Sequence, residues 1–182
     1  MNISKWTDDV DRITASFKTE FGSLSVDQLN AKPSPGAWSI AQNIDHLIVV
    51  NQTYYPLLKA VRDGTYQRPW IGKIGFMVRL FGKMILDSVH PDRRKKMRTF
   101  PLWEPSKSAI GTDVMARFEK HQEELRQVIR ESSELLDRNT VISSPANRNI
   151  VYKLETAFDI IVTHEKRHLE QAREALTLTA KV

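Results

Sequence analysis

Cysteine is absent from the 182 residues, and its absence removes three chemistries at once: a disulfide framework, a thiolate metal site and a cysteine nucleophile. No stretch of about 20 uncharged apolar residues occurs either, so no segment is expected to span a bilayer and no membrane partner is expected. Met1 to Phe21 carries charges throughout and has no continuous apolar centre, which sets it apart from a signal peptide. There is no internal repeat, low-complexity tract or composition break. These absences lead to the expectation of one cytoplasmic domain over residues 1–182, long enough to bury a proper core.

Charge is unevenly spread. The net charge is +5, yet Arg68 to Lys107 alone holds ten Lys/Arg against three Asp/Glu, a local +7, and the remainder sums to −2. Basicity therefore belongs to one segment, within a connection over about 65–112. Its densest part, Arg93-Arg94-Lys95-Lys96-Met97-Arg98, lacks the interleaved aromatics of a nucleic-acid platform. A solvated loop that attracts an anionic ligand is the better expectation, and a nucleic-acid partner is not expected.

Four amphipathic helices are legible. Trp6, Val10, Ile13, Phe17 and Phe21 step by three and four, the period of a helix with one apolar face. Ser39 with Gln42 forms a capping-box pattern that opens a second helix, carried by Ile44, Leu47, Val50, Tyr54, Leu58 and Val61 and ended by Asp63-Gly64. Pro56 inside it predicts a kink. A third begins near Asp113 and follows Val114, Phe118, Leu125, Ile129 and Leu136. A polar link from Arg138 to Asn149 then leads to the last, with Leu154, Ala157, Phe158, Ile161, Ala172 and Ala175 on its apolar arc. The crossover holds a weaker, glycine-punctuated helical stretch over Ile71–Val89 and a proline-flanked aromatic pair, Pro101-Leu102-Trp103-Glu104-Pro105. The fold class is all-α: a four-helix bundle with a long crossover between its second and third helices.

Chemistry concentrates near the end of the chain. His164 and His168 are four apart, about 40° from each other on a helical projection, and fall inside the apolar arc. With five histidines in the chain, such a pair arises by chance in about one sequence in ten, so the pair alone is weak. His46 strengthens it. The crossover makes the second and third helices parallel and the last one antiparallel to them, which brings His46 and His121 to the level of His164 and His168. His46, His164 and His168 then offer three nitrogen ligands and an open position, the pattern of a catalytic metal site. Asn43 and Gln171 are placed to orient imidazoles; His121 is a fourth ligand or pocket wall; Trp38 is a wall; His90 lies on the surface.

The run Pro33-Ser34-Pro35-Gly36-Ala37-Trp38-Ser39-Ile40-Ala41-Gln42-Asn43-Ile44-Asp45-His46-Leu47 resembles the proline-rich lead-in, Trp-Ser start and helix-two histidine of the DinB-like superfamily of helical metalloproteins, in its YfiT-type branch. The His164, His168, Gln171 spacing is similar to that family's last helix, and Lys96 to Pro101 to a loop of one branch. The resemblance implies the bundle, a three-histidine site for a divalent transition metal (zinc or nickel) and homodimer formation. It also implies activities that range over metal-dependent hydrolysis, thiol S-transfer and thiol-dependent isomerisation. A small-molecule substrate, anionic or a low-molecular-weight thiol, is the expected partner.

Two other readings compete. His164-Glu165-Lys166-Arg167-His168 spells H-E-x-x-H, in which Glu165 would be the general base of a zinc protease. However, no histidine follows His168, and only 14 residues remain for a third ligand. Glu165 is expected instead to pair with a cation on a neighbouring helix. The other alternative is a bundle that binds a metal or ligand without catalysis, as a stress-response module would.

Overall fold

Trp6, Val10, Ile13, Phe17 and Phe21 are all buried along one side of α1 (Ile3–Phe21) in the computed structural model, which describes residues 2–92, 99–105 and 109–180. The basic run Arg93–Arg98 lies outside the described residues. A short helix, α2 (Val26–Asn30), and then α3 (Ile40–Gln52) each open with a capping box, Ser25 with Gln28 and Ser39 with Gln42, which satisfies backbone donors that have no partner within the helix.

The second sequence helix is two helices. It breaks at Thr53, whose hydroxyl donates to the Val50 carbonyl at 2.5 Å, and resumes as α4 (Tyr54–Arg62). Pro56 is thereby the third residue of a new helix, where its missing N–H costs nothing. Gly64 follows at φ +71°, the left-handed conformation that glycine adopts freely. The third sequence helix breaks similarly, at Ser132, into α6 (Val114–Glu131) and α7 (Ser133–Asp137). In the crossover, α5 (Gly75–Val89) realises the glycine-punctuated stretch.

The polar link is a β-hairpin. Strand β1 (Val141–Ser144) pairs antiparallel with β2 (Asn147–Lys153) in the register Ile142 with Tyr152, and the register shifts at Ser143/Ser144. Alternation is hard to see here because Arg148 and the asparagines fill the exposed end. Only Ile142, Val151 and Tyr152 are buried apolar positions, fewer than periodicity arguments need. β2 runs directly into α8 (Leu154–Thr179).

Cross-helix bonds fix the directions. Trp6 Nε1 donates to Asp159 at 2.8 Å, Lys166 reaches Asp9, and Arg173 reaches Glu20, so α1 and α8 run parallel. Arg126 pairs with Asp11 and Lys18 with Glu119, so α6 runs against α1. Arg117 reaches Asp45 and Asn51 reaches His121, so α3 runs with α6. The bundle is a square in which α1 and α3 each pack on both α6 and α8. Phe17 meets Phe118 edge-on at 4.8 Å and Trp6 meets Phe158 at 5.2 Å inside it. No described helix is long and apolar enough to cross a membrane.

Candidate metal centre

α3 and α8 bring three imidazoles together because both helices are apolar on the inward side and the histidines interrupt that side at one level. Ile44 and Leu47 bracket His46, and Ile161 and Leu169 bracket the α8 pair; all four apolar residues are buried. The Nε2 atom of His164 lies 3.0 Å from Nε2 of His168 and 3.4 Å from Nε2 of His46. One ligand nitrogen from each ring lies within 4.8 Å of the other two.

The far side of two rings is tied down. Asn43 Nδ2 donates to the Ser39 carbonyl at 2.9 Å, which turns Asn43 Oδ1 toward His168 Nδ1, 2.7 Å away. An acceptor there fixes His168 as the Nδ1–H tautomer. The Trp103 carbonyl does the same for His46 Nδ1 at 2.6 Å. Trp38 stacks on His168 with ring centroids 5.8 Å apart and leans on His46 at 4.8 Å, so the rings cannot turn away.

This arrangement turns the Nε2 lone pairs of His46 and His168 toward His164 Nε2. Burial keeps the rings neutral. It pushes His46 down to about 4 and holds His164 and His168 well below the ordinary imidazole value, where the neighbouring imidazoles add to the effect. Two metal–nitrogen bonds of about 2.0–2.1 Å at a tetrahedral angle separate their nitrogens by about 3.3 Å. The observed 3.0 and 3.4 Å suit a cation bound between them. His164 keeps partial solvent access while His46 and His168 are buried.

The remaining candidates fall elsewhere. Gln171 is half-buried and makes no hydrogen bond among the described residues. It lies about 4.5 Å further along the helix axis than His168, and Asn43 already occupies that ring's Nδ1. His90 is exposed beside Asp92. His121 stands apart from the triad, with Nε2 3.2 Å from Asn51 Nδ2 and Nδ1 3.3 Å from the Tyr55 hydroxyl. Glu165 has no exposed surface, and its partners are amides: Asn51 Nδ2 donates to Oε1 at 2.8 Å and Gln122 Nε2 to Oε2 at 3.0 Å. Among the described residues no Arg or Lys pairs with Glu165, and amides stand in place of the expected cation partner. A cation would have to be stripped of water in the bundle centre, whereas neutral amides satisfy the carboxylate more cheaply.

Trp103, Asn51 and Gln122 are the functional neighbours that sequence reasoning missed. The Trp103 contact is made by a backbone carbonyl, which no side-chain pattern reveals. Asn51 and Gln122 did leave a signal. Ile44, Leu47, Ile48, Asn51 and Phe118, His121, Gln122, Leu125 are both i, i+3, i+4, i+7 sets with polar members at core positions.

The chain matches the DinB superfamily model over residues 10–172. It belongs to the DinB superfamily. Among curated proteins it is 29% identical to the uncharacterized protein YuaE of Bacillus subtilis (strain 168) over 157 residues, 85% of this chain and 87% of YuaE. Among solved structures it matches YfiT of Bacillus subtilis, a probable metal-dependent hydrolase with an unusual four-helix bundle topology. That match has a TM-score of 0.58 at 17% identity and covers 98% of this chain and 86% of YfiT. The four-helix bundle read from the helix pattern, and the DinB likeness read from the motifs at residues 33–47 and 164–171, are thus both those of this chain.

His121 gives a pH prediction that is separate from the triad. Burial pushes its pKa down to about 4 from the ordinary 6.5. Between those values the unfolded chain binds the proton and the folded one does not, so stability falls as pH falls from 6.5 toward 4. The full contribution is about 3 kcal/mol. In chelator-treated protein, urea unfolding of wild type and His121→Gln across this range should differ in slope by about one proton, the variant being flatter.

Proposed function

We propose that this protein is a metal-dependent enzyme acting on a small molecule, a hydrolase or a thiol S-transferase, with His46, His164 and His168 as the metal ligands. The observation that carries the reading is the convergence of three imidazole Nε2 atoms, two of whose rings are fixed from behind. Three neutral imidazoles suit zinc or nickel. When bound, such an ion acts as a Lewis acid that lowers the pKa of a water or thiol entering the open position.

The chain's own residues hold and orient. Asn43 and the Trp103 carbonyl keep two imidazoles in the ligating tautomer, Trp38 holds the ring planes, and the partly exposed His164 side is the route by which a substrate would reach the site. With no cysteine in the chain, a thiol nucleophile would come from outside the protein, and an external thiol or a water could enter the same open position. A non-catalytic metal-binding role is the second reading. It is favoured by one observation: Glu165, the carboxylate next to His164, has both oxygens engaged by amides.

Elemental analysis of protein prepared without a histidine tag tests the ligand set, with close to one equivalent of transition metal expected. Asn43→Ala should retain the fold and weaken metal affinity about 10–100-fold, read by competition with a chromogenic chelator. Protein that carries no metal and takes up none overturns the reading. Metal-loaded protein is then assayed on chromogenic esters, and on electrophiles with low-molecular-weight thiols. Turnover in either assay supports catalysis, and stoichiometric metal without turnover supports the second reading.

A further inference from the structure

α5 is apolar on two sides, and the bundle covers only one. Its inner side is pressed against the β2–α8 junction. A Cβ on Gly82 would stand 3.1 Å from Thr156 Cγ2 and 3.4 Å from Tyr152 Cβ, and Val78 beside it is buried. The outer side carries Phe76, Leu80 and Met84, spaced i, i+4, i+8, with Phe76 62% exposed. Trp70, in the turn just before the helix, is 69% exposed. A helix that is apolar all round is ordinarily buried all round, and contiguous exposed aromatic surface marks an interaction face.

The charge around the first half of this stripe is of one sign, and at its far end the exposed Asp87 is paired with Lys83. No Asp or Glu occurs between Asp63 and Asp87. Arg68, Lys73 and Arg79 join Lys153 in lining a cleft of about 570 Å³ between the start of α5 and the hairpin, with Gly72, Gly75, Val78 and Val141 as its other walls. Among the described residues Arg68, Lys73 and Arg79 make no ion pair. An exposed Trp/Phe/Leu stripe bordered by unpaired cations is the composition of a helix that lies in the plane of an anionic lipid surface. The rings enter the acyl boundary while the cations meet phosphate headgroups.

We infer that the outer face of α5, together with the cleft lined by Arg68, Lys73 and Arg79, docks this protein peripherally on anionic phospholipid membranes. A second copy of the chain fits the face less well. A twofold interface sets a patch against itself, and here that would place the unpaired Arg68, Lys73 and Arg79 against one another, while the carboxylate of α5, Asp87, is already paired with Lys83. The docking departs from the sequence expectation of no membrane partner, and as a surface contact it leaves unchanged the expectation that nothing spans the bilayer.

Flotation of the full-length protein with liposomes tests this, using phosphatidylcholine alone and phosphatidylcholine mixed with phosphatidylglycerol. Wild type should float with the anionic vesicles, remain behind with the neutral ones, and be released by salt. Arg68→Gln/Lys73→Gln/Arg79→Gln should lower the partition coefficient about a hundredfold. Phe76→Ser/Leu80→Ser should lower it at least tenfold with the melting temperature retained, since both side chains are solvent-facing. Absence of flotation at low salt overturns the proposal, as does equal flotation with neutral vesicles. Concentration-dependent self-association that Phe76→Ser/Leu80→Ser abolishes, without vesicle binding, also overturns it and assigns the face to a second copy.

Discussion

His168→Ala should lower the metal content of the untagged protein from about one equivalent to near zero, and His46→Ala should do the same. Each removes one of three nitrogen donors. Loss of a group that only orients a ligand costs 10–100-fold in affinity, so loss of a ligand is expected to exceed a hundredfold. The two variants report different things. His164 and His168 are one helical turn apart and form a pair within α8, whereas His46 comes from α3 and reaches His164 across the bundle at 3.4 Å. His90→Ala, at an exposed position, is the control and should keep its metal. Thermal melting gives a second readout. A ligand present at a hundred times its dissociation constant stabilises the folded state by about 2.7 kcal/mol, so a chelator should lower the wild-type melting temperature and leave that of His168→Ala unmoved. Full metal retention in His46→Ala would reduce the site to the α8 pair and remove the cross-helix centre.

Much of this molecule was legible because its determinants are local. Ser39-Gln42 announces a helix start through backbone donors that a nearby side chain can satisfy. The long apolar arcs of α1, α6 and α8 follow from period alone. The level of His46 against His164 and His168 was legible through topology, since a long crossover makes α3 and α6 parallel, as the Asp45–Arg117 and Asn51–His121 contacts show. The hairpin was not legible. Its buried apolar side chains are few, and its stability comes from Tyr152, whose hydroxyl meets that of Tyr54 at 2.8 Å, a partner 98 residues away. The breaks at Thr53 and Ser132 were also hidden, because a polar residue folding its hydroxyl back on the helix leaves the apolar period intact on both sides.

The polar layer beside the triad was the hardest part to see, and it bears on the mechanism. Asn51, Gln122, His121 and Glu165 come from three helices, and each looks like an isolated exception on its own arc. Only the assembled bundle shows that they hydrogen-bond to one another. A buried layer of this kind fixes register between helices as well as adding stability.

Glu165 decides between a base and a clamp. Burial pushes its carboxyl up to about 7, and the bonds from Gln122 and Asn51 hold it from rising further. Between 4.5 and 7 the folded state binds a proton that the unfolded chain releases, so this group lowers stability as pH rises through that window, by about 3 kcal/mol in full. Glu165→Ala deletes the acceptor for two buried donors and should destabilise the protein by about 2–4 kcal/mol near pH 6, seen as a fall in melting temperature. Glu165→Gln behaves differently. Among the described residues Asn51 Oδ1 and Gln122 Oε1 are buried without partners, so a flip of either amide supplies the acceptor that the new amide nitrogen requires. This variant should keep its metal, match wild type within about 1 kcal/mol at pH 6 and equal or exceed it at pH 8, where the wild-type carboxylate is ionised in the core. Its turnover, on whichever substrate the ester and thiol panels reveal, should change by less than about tenfold, because removing a general base costs about 10²–10⁴. A thousandfold loss of rate at unchanged metal content and melting temperature would make Glu165 the proton acceptor and return the His164–His168 segment to the zinc-protease reading.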